Sequence, residues 1–316
     1  MIDRNQQVTV FGGGGFIGRY VCESLLKAGV RVRVASRNPR SAHFIQPIGQ
    51  VGQIGFVRAD ISNADSVARA VEGASAVVNL PGVMNRAMHA THVTGAGVVA
   101  KAAKAAKAKA LVHISAIGAD PKSEAQYGKT KGEGELAARA AFPKTTIVRP
   151  SLVFGPEDEL TNRFAAMAQL PFLPVIAPRT RFQPVYVRDL AAAITKAVVD
   201  PQRHAGKTYE IGGPQVMTMR ELNETIIAAA GCHTNLVDMP DFAADLLSRF
   251  GFLPGSPLTR DQWLMLQHDN VASGQPGLEA FDIEPTPLGA VAPEWLGRFH
   301  KGGRFAGHRN NLTAAS

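Results

Sequence analysis

Short apolar runs alternate with stretches of helical spacing along the first half of the chain. Residues 8–11 form a β-branched run before a glycine cluster, residues 16–28 repeat apolar positions at helical spacing, and residues 30–34 alternate as a strand does. Similar apolar runs predict further strands, at 55–57, 76–80, 110–114 and 145–148. Strands that alternate with helices form parallel sheets covered on both faces. The pattern therefore predicts an α/β fold built on a doubly wound parallel sheet.

The second half of the chain is expected to contain more loops, because 14 of the 20 prolines lie after residue 150. Strand-like runs at 185–187 and 208–213 predict a return of the chain to the sheet. We expect a first domain over 1–160 that carries the sheet, with return segments at about 181–213. A smaller, interleaved C-terminal α/β lobe over 161–316 would hold a substrate or a partner.

Two segments of the second half are candidates for surface contacts. Residues 242–266 carry Phe, Leu and Trp at amphipathic spacing, which fits either the core of the lobe or a surface for a membrane interface or a partner. The basic tail over 301–316 has the composition of a disordered segment that contacts anionic lipid or an acidic subunit.

Composition excludes several classes of protein. With 316 residues, 45% of them hydrophobic and 19% charged, the chain is long enough for a large core and is not disordered as a whole. Two cysteines, Cys22 and Cys232, cannot form a disulfide framework or a Cys-based zinc site. The first residues lack the apolar region of a signal peptide, and no apolar run is long enough to cross a bilayer. We expect a cytoplasmic protein whose membrane contact, if any, is peripheral.

The positive charge is concentrated in one half of the chain. Residues 1–150 hold 20 Lys and Arg against 9 Asp and Glu, whereas the remainder holds 14 against 17. Such a field favours an anionic cofactor, a nucleic acid or an acidic partner. The alanine-rich stretch 96–109, with lysines every three residues, fits a surface helix of the sheet. It lacks the aromatic residues of a nucleic-acid arm, and we expect no nucleic-acid partner.

Glycines at a fixed spacing follow the first predicted strand. Gly12, Gly15 and Gly18 lie between that strand and a predicted helix that begins with Phe16 and Ile17. In a Rossmann-like fold the first glycine makes a tight turn, the second admits a pyrophosphate, and the third lets the helix pack on the strand. The helix N-terminus then faces the phosphates. These five residues are predicted to bind a dinucleotide.

The residues after the second and third strands indicate which dinucleotide the chain binds. NAD-binding folds carry an acidic residue about 20 residues beyond the glycines, but this chain has Ser36 and Arg37 there. Arg37, helped by Arg33 or Arg40, can hold the 2′-phosphate of NADP(H), which is therefore favoured over NAD(H). Asp60 and Ile61 are expected to flank the adenine, and the far end of the cofactor would meet Leu80, Pro81 and Gly82.

A tyrosine and a lysine share one face of a predicted helix after the fifth strand. In Tyr127-Gly128-Lys129-Thr130-Lys131 the two residues are four positions apart, which places the ammonium beside the phenol and the cofactor ribose. We expect Lys131 to lower the pKa of Tyr127 and make it a proton donor or acceptor in carbonyl chemistry.

These motifs resemble those of extended or atypical short-chain dehydrogenase/reductases. A closer resemblance, over nearly the whole chain, is to the nucleotide-binding accessory subunit family of respiratory complex I, the NADH:ubiquinone oxidoreductase. The segments that carry it are Tyr127–Glu135, Phe142–Ala165, Gln183–Ala191, Leu258–Val271 and Pro276–Leu288. The resemblance implies bound NADPH, contact of Pro150 with it, complex I subunits as partners, a location on the matrix side if mitochondrial, and a structural or regulatory role near the quinone site.

One departure from active reductases bears on catalysis. Ser115 lies at the end of the fifth strand, but Ile117 stands where the substrate-binding hydroxyl aligns in that family. Two hypotheses stay open. In the first, NADPH stabilises a scaffold. In the second, Tyr127, Lys131 and Ser115 reduce a quinone-related, lipid-like or sugar-nucleotide carbonyl.

The remaining candidates have simpler interpretations. His89 and His92 are spaced as metal ligands can be, but no third ligand is placed to complete a site, so no metal is expected. Cys22 is interpreted as a small buried apolar residue. Asp189 is interpreted as structural.

Overall fold

The computed structural model describes residues 6–251 and 258–300. Thirteen strands occur in this part of the chain, namely β1 Gln7–Phe11, β2 Arg31–Ser36, β3 Ile54–Arg58, β4 Ala76–Asn79, β5 Ala110–Ile114, β6 Thr146–Pro150, β7 Val153–Phe154, β8 Phe172–Val175, β9 Arg181–Phe182, β10 Val185–Tyr186, β11 Thr208–Ile211, β12 Met217–Thr218 and β13 Asn235–Asp238. The α-helices are α1 Phe16–Lys27, α2 Ala64–Val71, α3 Gly95–Ala105, α4 Gln126–Ala141, α5 Glu159–Met167, α6 Val187–Val199, α7 Pro201–His204, α8 Met219–Ala229, α9 Asp241–Arg249, α10 Arg260–Leu266, α11 Leu288–Val291 and α12 Pro293–Leu296.

Seven of the strands form one parallel sheet in the order β11-β6-β5-β4-β1-β2-β3. Its central strands, such as β4 and β5, are buried and mostly apolar, because helices cover both faces. The predicted α/β fold with a Rossmann-like parallel sheet is confirmed. Since all the strands are parallel, their carboxyl ends lie along one edge, where ligands of such sheets bind.

The chain divides into two compact units. The first comprises the described residues up to Pro150, together with Val187–Ile211 and Ala272–Glu284. The second comprises Ser151–Tyr186, the described part of Gly212–Val271, and the described residues from Pro285 onward. Relative to the predicted bounds, the first unit ends at 150 instead of 160, and it gains a third segment at 272–284.

Hydrophobic packing on one face of the first unit's sheet joins α2 and α3 to the strands. Val67, Val77, Val99 and Leu111 are buried in this cluster. The lysines of α3 at 101 and 104 are exposed while its alanines at 100 and 103 are buried, so the surface-helix interpretation is confirmed. On the other face, α1 packs against α6.

The prediction that 185–187 returns to the central sheet is wrong. Val185 and Tyr186 pair with Val153 and Phe154 in a separate two-stranded sheet of the second unit, and Val187 already begins α6. Only the later run, now β11, joins the central sheet by pairing with β6. A short apolar run indicates burial but does not identify its partner strand.

Within the second unit, the amphipathic stretch 242–266 contributes both to the core and to the surface. Leu258 and Trp263 are buried together with Ala244, whereas Phe242 and Leu246 on α9 are exposed. Residues 252–257 of that stretch, and the predicted basic tail over 301–316, lie outside the described residues. Among the described helices, none has the length and apolar character to cross a bilayer.

Candidate functional site

The glycine-rich turn after β1 has the geometry of a dinucleotide-binding loop. Gly12 has a φ of +76°, and its carbonyl accepts a hydrogen bond from the N–H of Gly15 at 3.0 Å. A Cβ built on Gly18 would lie 2.2 Å from the Gly12 carbonyl oxygen, so α1 can begin this close to the turn only with glycine there. Gly15 is the N-cap of α1, followed by half-buried Phe16 and Ile17. Because the N-cap is a glycine, it provides no side-chain cap, and the N–H groups of the first turn are suited to an anion.

The end of β2 presents a hydroxyl and a guanidinium. Ser36 Oγ is buried and has no hydrogen-bond partner among the described residues, whereas the Arg37 side chain is exposed. Asp60 lies close enough to Arg37 to interact with it electrostatically. Hydrogen bonds from Ser62 and the nearby charge of Arg37 lower the pKa of the Asp60 carboxyl. The position that carries a carboxylate in NAD-binding folds therefore has a donor set suited to phosphate.

Arg33 does not help Arg37. Its guanidinium donates to the carbonyl oxygens of Ala70 and Glu72 and to the side chain of Gln7, at the opposite edge of the sheet. Strand alternation alone could not show this, because a long side chain can reach along the strand in either direction. Arg40, the other predicted helper, is exposed in the 3₁₀ segment that follows β2.

The segments after β3 and β4 lie on either side of the glycine turn. Ile61 is half-buried and packs close to Gly95, where a Cβ would lie 2.7 Å from its Cδ1. The Leu80 N–H donates to the carbonyl of Phe11 at 3.2 Å, which extends β4 alongside β1. Pro81 then lies against the glycine turn, with its Cδ 3.3 Å from a Cβ built on Gly12.

Tyr127 and Lys131 lie on one face of α4, as predicted, but their electrostatics differ from the prediction. Lys131 is 3% exposed, and its Nζ donates to the carbonyl of Ile114 at 3.1 Å. The same nitrogen lies 5.8 Å from the centroid of the Tyr127 ring. Burial raises the pKa of Tyr127 to about 12, so the expected lowering by Lys131 is wrong. Burial lowers the pKa of Lys131 to about 8, an effect that the charge of Glu135 partly offsets.

Gly82 joins the segment after β4 to this pair. A Cβ built on Gly82 would lie 3.4 Å from Lys131 Nζ and 3.8 Å from His92 Nε2. The structure therefore brings Gly12, Pro81, Gly82 and Lys131 into one continuous region at the carboxyl edge of the sheet.

The end of β5 offers Ser115 as the only sequence-predicted hydroxyl. Its N–H donates to the carbonyl of Val148 at 2.8 Å, and its Oγ is buried without a hydrogen-bond partner among the described residues. Ile117 is buried, and its N–H donates to the carbonyl of Pro150 at 3.0 Å. Pro150, predicted to contact the cofactor, is buried at the end of β6 and fixes the segment that follows Ser115.

A buried set of charges extends from Lys131 along α4. Glu135, one turn further on, forms two hydrogen bonds with Arg149, at 2.8 and 2.7 Å, and Arg149 also contacts Glu210 of β11 at 3.5 Å. Glu210 accepts a hydrogen bond from the N–H of Ser273 at 2.7 Å. Two cations and two anions thus alternate in a region of low polarity, which is tolerable because each charge has an opposite neighbour.

Sequence reasoning missed two further buried hydrogen-bonded pairs near Lys131. Asn79, at the end of β4, lies beside His113 of β5, and His92 is bonded to Thr130 of α4. His113 interrupts an otherwise apolar strand, and this was the one available signal. For His92 the sequence offers only its three-residue spacing from His89, which suggests a metal pair and not this contact. Within residues 6–251 and 258–300 no group of three His, Cys, Asp or Glu could hold a metal ion.

This fold and site define a Rossmann-type NAD(P)-binding protein of the short-chain dehydrogenase kind. Residues 8–212 match the family model described as the NAD dependent epimerase/dehydratase family, and the chain belongs to that family.

Named relatives include both respiratory subunits and reductases. The chain is 32% identical over 302 residues to NADH dehydrogenase [ubiquinone] 1 alpha subcomplex subunit 9, mitochondrial, of Rattus norvegicus, a match covering 92% of this chain and 79% of the relative. It is 30% identical over 197 residues to the ceramide reductase of Caulobacter vibrioides, over 61% of each chain. The match to the complex I subunit confirms the resemblance predicted from the motifs.

Solved structures share the fold. The Citrobacter sp. triphenylmethane reductase complexed with NADP(H) superposes with a TM-score of 0.75 at 18% identity, over 92% of this chain and 99% of that one. At this identity the likeness establishes the fold and not the substrate.

Proposed function

We propose that this protein binds NADPH and serves as an accessory subunit of respiratory complex I, with the nucleotide in a structural or regulatory role. The observation that carries the cofactor assignment is the end of β2. Ser36 Oγ lacks a partner among the described residues, and the exposed Arg37 guanidinium stands where an NAD-binding fold has a carboxylate. A 2′-phosphate would accept hydrogen bonds from both groups, whereas a carboxylate there would repel it.

The remaining binding residues follow the same path along the carboxyl edge. Gly12, Gly15 and Gly18 with the first turn of α1 would hold the pyrophosphate, and Asp60 and Ile61 would flank the adenine. Leu80, Pro81 and Gly82 would line the nicotinamide half beside Tyr127 and Lys131. Binding would stabilise the folded protein by about 2.7 kcal/mol at one hundred times the dissociation constant.

The similarity to a complex I subunit over 92% of the chain supports the accessory role. So does the chemistry of the site. A phenol with a pKa near 12 is a poor proton donor or acceptor at neutral pH, and Ile117 supplies no hydroxyl where active reductases have one. Partners would be complex I subunits, in the cytoplasm of a bacterium or on the matrix side in a mitochondrion. The exposed Phe242 and Leu246 of α9 support peripheral contact with the membrane surface.

One observation favours a second candidate, an NADPH-dependent reductase. Ser115 Oγ is buried at the end of β5 with no partner among the described residues, so it could hold a substrate oxygen. Bound NADPH would supply a hydride to a lipid-like, quinone-related or sugar-nucleotide carbonyl. Tyr127 would provide the proton to the oxygen, and Lys131 would hold the ribose and favour the ionised phenol. The similarity to a ceramide reductase supports the lipid-like substrate class.

The test identifies the nucleotide and then asks whether it turns over. The protein is purified without added nucleotide and denatured, and the released molecule is identified by mass spectrometry. The reduced-nicotinamide absorbance of protein loaded with NADPH is then followed with a panel of ketones, quinones and sugar nucleotides. Co-purifying NADPH that no substrate oxidises agrees with the accessory role. Oxidation that Tyr127→Phe abolishes would establish the reductase instead, and failure to bind NADPH would contradict both.

A further inference from the structure

His92 lies between the segment after β4 and the helix that carries Tyr127. Its Nε2 accepts a hydrogen bond from the N–H of Val83 at 3.1 Å, and its Nδ1 lies 2.9 Å from Thr130 Oγ1. The rings of His92 and Tyr127 make an edge-to-face contact, with their centroids 5.6 Å apart and their planes at 89°. At 1% exposure the imidazole is enclosed by these contacts.

The hydrogen bonds fix a single protonation state. A backbone N–H can only donate, so Nε2 must accept, and the proton of the neutral ring is on Nδ1. Nδ1–H donates to Thr130 Oγ1, whose own hydroxyl donates to the carbonyl of Gln126 at 2.8 Å. Burial and the charge of Lys131 lower the pKa of His92 to about 3. With both nitrogens occupied, the imidazole is unsuited to bind a metal or transfer a proton.

The backbone of His92 is held as firmly as its ring. It lies in a π-helical turn, Ala90–Thr94, which leads into α3. Such turns insert one extra residue and are frequent at functional sites. The His92 carbonyl oxygen would lie 2.2 Å from a Cβ on Gly134, so α4 approaches this turn at a distance that only glycine permits. The backbone that carries the ring is therefore packed directly against α4.

We infer that His92 is a positioning residue that sets Gly82 and Val83 against the Tyr127 and Lys131 pair and thereby shapes the pocket for the nicotinamide half of the cofactor. The inference rests on the proposed binding of NADPH. The imidazole then has no contact with the 2′-phosphate, the adenine or the pyrophosphate, whose proposed sites are the end of β2, the segment after β3 and the glycine turn. Loss of its hydrogen bonds should then weaken binding of one half of the nucleotide only.

Two ligands distinguish the nicotinamide half of the proposed cofactor site from the adenine half. NADPH would occupy the whole site, whereas adenosine 2′,5′-bisphosphate carries only the adenine, its ribose, the 2′-phosphate and a 5′-phosphate equivalent to one half of the pyrophosphate. Their dissociation constants are measured by titration calorimetry for the full-length protein. In His92→Phe the ring packing on Tyr127 is kept but both hydrogen bonds are lost. We expect its NADPH affinity to fall about tenfold while its bisphosphate affinity stays within twofold of wild type.

A conservative variant and a second site complete the experiment. His92→Gln can accept from Val83 with its side-chain oxygen and should recover most of the NADPH affinity. Thr130→Val removes one hydrogen bond from outside the proposed contact surface and should reproduce part of the selective loss, which keeps the test decisive if His92→Phe does not fold. Equal loss of both ligands, or no loss of either, would overturn the positioning role. A wild-type protein that binds neither ligand would overturn the proposed function itself, and the inference with it.

Discussion

The side-chain amide of Asn79 donates a hydrogen bond of 3.0 Å to Nδ1 of His113, across the β4–β5 pair. The two residues are direct neighbours in the register of the parallel strands. An imidazole that accepts at Nδ1 carries its proton on Nε2 and is neutral. Burial, together with the charges of Lys131 and His92, lowers the pKa of His113 to about 3. The core beneath the candidate site therefore contains a histidine whose neutral form the folded state strongly favours.

Stability should fall as the pH is lowered from 6.5 towards 3. In that window an unfolded histidine binds a proton and the buried His113 does not. Acid therefore stabilises the unfolded state relative to the folded state. A histidine of this kind removes up to roughly 1.4 kcal/mol per pH unit. The free energy of unfolding in urea, measured between pH 7 and pH 5.5, should therefore decrease, and it should decrease less steeply in His113→Gln.

The matched control is His89→Gln, because that side chain is exposed. We expect its pH dependence to follow the wild type. If His113→Gln and the wild type had the same slope, His113 would not be the group that titrates.

The close approach of α4 to the turn before α3 predicts opposite effects for two glycines. A methyl group at Gly134 would meet the His92 carbonyl, so Gly134→Ala should destabilise the protein by about 1–3 kcal/mol. Gly97 lies in α3, where a Cβ would be 3.7 Å from the Ala137 Cβ, an ordinary contact. Gly97→Ala should be neutral or stabilise by up to about 1 kcal/mol, because alanine favours the helix. Urea unfolding of both variants tests this, and equal effects would refute the close approach.

Cofactor preference should depend on Arg37. In Arg37→Asp a carboxylate faces the 2′-phosphate site, and we expect NADPH affinity to fall about 10- to 100-fold while NADH affinity holds or rises. Nucleotide fluorescence titration measures both. Arg31→Asp makes the same charge change at the other end of β2, where the side chain is also exposed, and should leave the preference unaltered. An unchanged preference in Arg37→Asp would place the 2′-phosphate elsewhere.

Glu135 is buried and forms an ion pair with Arg149 within the charge set along α4. Glu135→Gln leaves the Arg149 guanidinium with Glu210 alone and removes an anion near Lys131, so the folded state should lose about 3 kcal/mol. The pKa of Lys131 should fall further, since the Glu135 charge raises it. Chemical denaturation and the pH dependence of Lys131 labelling measure the two effects.

Glu133→Gln changes the same residue type on the same helix, at a position that is half-buried and outside this charge set. It should leave both the unfolding free energy and the Lys131 pKa close to those of the wild type. Equal losses in the two variants would mean that the α4 helix, and not the ion pairs, responds to the substitution.

The sequence predicted the central sheet because most of its strands are short, largely apolar or alternating runs, and the glycine turn marks where the first strand ends. It also predicted that Tyr127 and Lys131 share a helix face, since that depends only on helical period. The pKa of Tyr127 was predicted in the wrong direction because burial, which sets it, is a property of the folded chain. Thr130, which His92 contacts, is 38 residues from it along the chain, and Asn79 is 34 residues from His113, so a local sequence pattern could not identify these partners.

β11, the last strand of the central sheet to be synthesised, affects how the chain folds on the ribosome. β11 is made only after the chain has passed through 36 residues of the second unit and returned by way of α6, yet it pairs with β6. Until β11 leaves the ribosome, the backbone N–H and C=O groups along one side of β6 are without their partner strand, an edge at which other nascent chains can add. Arg149 also lacks Glu210 during that interval. Nascent chains arrested before residue 208 should therefore be the species that chaperones bind.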